Sequence, residues 1–90
     1  MALQVELVSA EARVWSGTAQ RVIARTSEGE MGVLTGHQPT LAALAPGQVR
    51  ILAESGESVV ADVEGGFLSV DHDRVTVVSD TAALVSGSGR

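Results

Sequence analysis

The sequence predicts an all-β domain, an antiparallel sandwich or barrel, on three observations. Apolar and polar residues alternate with a period of two in several short runs, the pattern of half-buried strands. Gly, Pro, Ser and Asp punctuate the chain about every 8–12 residues, as turns do in sandwiches. No long segment carries the 3.6-residue period of a helix. The 90 residues amount to one domain without internal repeats. A chain this short buries roughly 60–65% of its unfolded surface, enough for one thin core. Trp15 and Phe67 are the only aromatic residues, so Val, Leu, Ile and Ala must build that core, with the two rings as expected plugs.

Leu3, Val5 and Leu7 alternate with Gln4 and Glu6 in a first strand, which Ser9-Ala10-Glu11 breaks. Ala12 to Trp15 reads as a second strand, Ser16-Gly17 as a turn, and Thr18 to Thr26 as a third strand. The alternation of the third is imperfect and leaves its buried face open. Ser27-Glu28-Gly29 turns the chain into Met31–Leu34, a short apolar run between glycines, which supply backbone angles other residues avoid. That brief strand presents Glu30 on one side and His37 on the other. The stretch is either a contact loop or a tight connection with two solvated side chains.

Leu41 to Ala45 reads as a strand or one helical turn, ended by Pro46-Gly47. Gln48 to Glu54 puts Val49 and Ile51 on one face, and Ser55-Gly56-Glu57 returns the chain through Ser58 to Glu64, rich in β-branched Val. Gly65-Gly66 marks a turn or a bulge where another backbone comes close. Phe67–Val70 and Arg74–Ser79 form a hairpin across Asp71-His72-Asp73, and Ala82–Val85 could add an edge strand. The expected core is Leu3, Val5, Leu7, Val49, Ile51, Val59, Ala61, Val63, Leu68, Val70, Val75 and Val77, because these share the inward parity of their strands.

The formal net charge of −5 argues against nucleic acid and anionic membrane surfaces, and allows docking to a basic protein. Cysteine is absent, which excludes a disulfide framework and thiolate metal sites. The N-terminus lacks the pattern of a signal peptide, and no apolar run approaches the roughly 20 residues that span a bilayer, so the expectation is a soluble chain. No Gly-x-Ser-x-Gly elbow or Walker loop is present, and Gly65-Gly66 lacks the spacing of a dinucleotide site. His72 stands between Asp71 and Asp73, but neighbours on a strand point to opposite faces, so the trio is expected to be a solvated hairpin tip and no metal site. The residues alone describe a small β domain in which binding is favoured over catalysis. A ligand-binding module and, last, a small hydrolase using His37 are the rival readings.

The order of motifs adds more. Val8-Ser9-Ala10-Glu11 and Val14-Trp15-Ser16-Gly17 are followed by Ser27-Glu28-Gly29-Glu30-Met31-Gly32-Val33-Leu34, Gly36-His37, and Leu41 with Leu44. Then come Pro46-Gly47-Gln48-Val49-Arg50-Ile51, Gly65-Gly66-Phe67-Leu68-Ser69-Val70 and Val75 to Ala82. The series resembles the N-terminal domain of the epsilon subunit of F-type ATP synthases, from about Leu3 to Ala83. The family usually has Pro at the place of Thr35. The resemblance implies a flattened β-sandwich of about ten short strands, residues 1–83, with a flexible tail at 84–90. It implies a non-catalytic subunit of the central stalk, peripheral on the cytoplasmic face of the cell membrane. Such a subunit binds the gamma subunit and rests on the c-ring, coupling ring rotation to ATP synthesis. By position in the motifs, Glu30 with Glu28 and Met31 would meet the c-ring, and Ser9 and His37 with Gln38 and Thr40 would face gamma. The family's C-terminal helices, which in some members bind ATP, have no counterpart before Arg90. The Ser-Gly-Ser-Gly ending suits a naturally short form, and neither a cofactor, ATP binding nor inhibition of hydrolysis is expected.

Overall fold

The computed structural model describes residues 2–86, and all its regular structure is β. Nine strands occur among these residues: β1 (Leu3–Ser9), β2 (Arg13–Thr26), β3 (Gly29–Leu34), β4 (Thr40–Leu44), β5 (Gly47–Ala53), β6 (Ser58–Val63), β7 (Gly66–Asp71), β8 (Arg74–Ser79) and β9 (Ala82–Ser86). They pair in the order β1-β8-β7-β4-β2-β5-β6-β9, with β3 on β2 and β1 closing back onto β2. The first half of β2 pairs with β1 and its second half with β3 and β5, so this one strand belongs to both layers of the sandwich. Between the layers lies a single aliphatic core. The body measures 31 × 29 × 22 Å.

All twelve residues expected in the core are buried. Ala19, Val22, Ala24, Val33, Leu44 and Ala53 join them. The ambiguous face of β2 has a physical cause. Ala19 is buried, and so are Val22 and Ala24, which have the opposite parity. Pairing with β5 slips between Ala19 and Arg21, so Gln20 is an extra residue that rotates the strand by half a period as it passes between layers. Its side-chain amide donates to the Glu54 carbonyl at 3.4 Å.

Two expectations change. Ser16-Gly17 is no turn but lies inside β2, opposite Glu6 and Val5. Gly17 is there for space: a Cβ would sit 2.9 Å from the Trp15 ring, which lies across it and packs against the core. Phe67 is no core plug, since Leu68 and Val70 take the inward positions of β7 and leave Phe67 facing out, 56% exposed. The edge strand offered by Ala82–Val85 is β9, which pairs with β6 and takes in Leu84 to Ser86 of the expected tail; 87–90 lie outside the described residues.

The turn chemistry is specific. Gly65 and Gly66 both have positive φ, and a Cβ on Gly66 would overlap the Val78 carbonyl oxygen, the close backbone approach read from the sequence. Asp71 pairs with Arg74, so the hairpin loop is only His72-Asp73, both at positive φ as a type I′ turn requires. The hydroxyl of Ser79, the one buried polar side chain among the described residues, donates to the Thr81 carbonyl at 2.8 Å.

Candidate functional site: two docking surfaces

The stretch from Ser27 to Thr40 is held by its neighbours at both ends. At the β2–β3 turn, the Thr26 hydroxyl donates to the Gly29 carbonyl at 2.7 Å and accepts from the Glu28 N–H at 3.2 Å. Ser27 N–H donates to the Ala43 carbonyl and Ala45 N–H to the Arg25 carbonyl, stitching this end of β2 to β4. Glu28 is exposed on the turn. Glu30 is exposed too, but on strand β3, opposite Arg25, rather than at a loop tip. Met31 is half-buried and packs on the core.

Beyond β3, the Gly36 N–H donates to the Asp73 carboxylate at 2.8 Å, which pins the loop to the β7–β8 hairpin. His37 Nδ1 and the Thr40 hydroxyl both lie within hydrogen-bond distance of the Gln38 carbonyl, at 2.8 and 2.9 Å. A carbonyl can only accept, so Nδ1 is the donor in this contact. His37 and Thr40 are half-buried, and Gln38 is exposed.

Glu28, Glu30, Met31 and Thr40 come together along one groove of about 420 Å³ between β3 and β4, which Leu41 and Ala43 also line. Ser9 does not join them. Its hydroxyl closes the β1–β2 turn by accepting from the N–H groups of Glu11 and Ala12. Ser9 is level with Ser79, whereas Thr40 is level with Val70, Val75 and, on β1, Val5. Four residues of strand, about 13 Å, therefore separate Ser9 from the Thr40 level. Both have the inward parity of their strands, Ser9 opposite buried Ser79 and Thr40 opposite buried Val70, so they stand at the two ends of the β1-β8-β7-β4 layer and not on its outer face.

Across that face runs a row absent from the sequence-based site. Ala43 pairs with Phe67, Phe67 with Val78, and Val78 with Val8, all with outward parity. Leu41, 72% exposed, stands in the next row. The signal was present in the period of two, since Phe67 shares parity with Ser69 and Asp71. At the hairpin tip, His72 Nδ1 lies 2.8 Å from the Asp71 carboxylate, and no group of three potential metal ligands occurs among the described residues.

The structure is thus a small β-sandwich with an acidic turn on one side and an apolar row across one layer. Its residues 2–85 match the model of the beta-sandwich domain of the ATP synthase delta/epsilon chain. The ATP synthase epsilon chain of Micrococcus luteus is 50% identical over 82 residues, 91% of this chain and 90% of that protein. That of Frankia casuarinae is 46% identical over 84 residues, 93% of this chain and 99% of its own length. A chain in the mitochondrial ATP synthase structure of Euglena gracilis, which comprises OSCP, F1 and the c-ring, superposes with a TM-score of 0.87 at 29% identity. It spans 92% of this chain and 53% of that one. This chain belongs to the ATP synthase delta/epsilon family.

Proposed function

We propose that the chain is the non-catalytic epsilon-type subunit of the central stalk of an F-type ATP synthase, binding gamma and the c-ring and coupling ring rotation to ATP synthesis. The observation that carries this reading is the match at about half identity to epsilon chains over nearly their whole length. The geometry supports a division of labour. Glu28, Glu30 and Met31, on the β2–β3 turn and edge strand, serve the c-ring, where carboxylates can receive charge-assisted hydrogen bonds from polar loops. Ser9, His37, Gln38 and Thr40 mark the two ends of the β1-β8-β7-β4 layer and serve gamma. The apolar row from Ala43 to Val8 supplies the dry centre that a stable interface needs between polar rims. The assembled subunit sits peripherally on the cytoplasmic side of the membrane.

The test is co-purification. A tagged chain solubilised from native membranes should bring down both gamma and the c-ring. Phe67→Glu, a change at an exposed side chain, should leave the fold intact and lose gamma. Recovery of neither partner with the unaltered chain refutes the assignment.

A further inference from the structure

All six basic side chains of this protein are arginines; lysine is absent. Three of them, Arg21, Arg25 and Arg50, share one outer face in a chain whose net charge is −5. The strand register places them. Arg21 and Arg25 flank Ile23 on β2 with the same parity, and Arg50 on β5 is the partner of Ile23. Arg21 pairs across to Leu52, and Arg50 to Val60 on β6. All three arginines are exposed, and none forms an ion pair with another described residue, whereas Arg13 has Glu6 at 3.7 Å. Between them lie two open grooves of about 210 and 270 Å³, with half-buried Ile23 shared by both. The stem of Arg25 lies over Gly47, where a Cβ would sit 3.5 Å from its Cδ.

We infer that this face docks a carboxylate-bearing segment of a partner polypeptide in the stalk, its acidic side chains on Arg21 and Arg50 and an apolar side chain over Ile23. The inference rests on the stalk reading above. Guanidinium groups pair bidentately with carboxylates and are weakly hydrated, so arginine suits an interface of this kind. The same face carries Glu30 and Asp62 on the row of Arg25, at the other end from Arg21. An anionic bilayer would meet those acids and the net negative charge of the chain. A polypeptide can place its carboxylates opposite Arg21 and Arg50 alone. Glu30 also belongs to the proposed ring contact, so the arginine face continues a surface already turned toward partners.

The lack of lysine makes a direct test possible. Arg21→Lys and Arg50→Lys keep the charge and each introduce a single side-chain amine. A carbodiimide then joins that amine, at zero length, to any carboxylate in contact with it, and mass spectrometry of the purified synthase identifies the joined peptide. Arg13→Lys, beside Glu6, is the control that should give an intramolecular product. The expected result is a bond from Arg21→Lys and from Arg50→Lys to an Asp or Glu of another subunit. With the control reacting and the chain present in the complex, three results overturn the inference: no product, a product only with Glu30 or Asp62, or an adduct of lipid mass. Absence of the chain from the purified synthase overturns the stalk reading itself, and the inference with it.

Discussion

Gly66→Ala should be among the most damaging single substitutions in this protein, and the structure says by how much. Gly66 opens β7 at φ +116, a conformation an L side chain rarely adopts. Holding a residue other than Gly there costs of order 1–3 kcal/mol. The steric part is larger. The added Cβ would overlap the Val78 carbonyl oxygen and sit 2.8 Å from Ser79 Cα, both backbone atoms of the paired strand β8. Neither can retreat without opening the β7–β8 ladder that carries Leu68, Val70, Val75 and Val77 into the core. A domain of this length has a total stability of roughly 5–13 kcal/mol, so several kcal/mol removes much or all of it. Gly56→Ala isolates the conformational part, because Gly56 also has positive φ, +98, with nothing within 4 Å of its Cβ. Urea unfolding followed by circular dichroism should give a stability lowered by about 1–3 kcal/mol in Gly56→Ala, the conformational cost alone. Gly66→Ala should be unfolded, or lowered by at least three times as much. Equal midpoints for the two variants would refute the argument from close backbone approach.

Ile51→Ala removes one of the largest fully buried side chains and should cost about 2–5 kcal/mol in denaturant titrations; a change below about 0.5 kcal/mol would refute its place in the core. Asp73→Ala loses the carboxylate that receives the Gly36 N–H and leaves a Cβ residue at φ 60 without Asp's tolerance of that region. It should cost about 1–3 kcal/mol and speed exchange of the Gly36 amide. Asp73→Asn keeps both the acceptor and the turn preference, and should preserve both readouts. Glu30→Ala and Glu30→Lys should each keep the melting temperature, because an exposed side chain contributes within about 0.5 kcal/mol. Both should weaken attachment to the ring, by roughly 2–5 kcal/mol for a desolvated contact, with the charge reversal the worse. Normal ATP-driven proton pumping by a synthase reconstituted with Glu30→Lys would remove this residue from the interface.

The strands were legible wherever one face looks inward throughout. In β1, β5, β6, β7 and β8, parity alone named the core, because no bulge interrupts their inward residues. It failed in β2, where the extra residue Gln20 reverses parity mid-strand. Such a slip is set by the need to pass between layers, and a single-sequence pattern records it only as imperfect alternation. Gly17 was misread for a related reason: a glycine that makes room for an indole looks the same in sequence as one that turns the chain. The parity of Phe67 points outward, and only its hydrophobicity argues for the core. Glu28, Glu30 and Met31 are expected at the ring by resemblance alone. The sequence cannot show that they share a groove with Thr40, or that Ser9 stands a strand's length from His37, because both depend on the β4–β7–β8–β1 register.

That register also explains how so small a domain can transmit force. A coupling subunit must hold its two contact surfaces at a fixed separation, and a flexible link between them would absorb rotation as strain. Here the β2–β3 turn hangs on Thr26, which pairs with Leu44, and on the bonds from Ser27 to Ala43 and from Ala45 to Arg25. β4 is in turn laddered to β7 over its whole length, from Thr40 opposite Val70 to Leu44 opposite Gly66. A push on Glu30 therefore reaches Phe67 and Val78 through paired strands alone, with no loop in series. The far end of the same face is tied by Asp73, which holds Gly36 through its carboxylate and Gln4 of β1 through its carbonyl. Breaking the Asp73 tie should therefore loosen this end of the layer and, with it, cost the roughly 1–3 kcal/mol expected for Asp73→Ala.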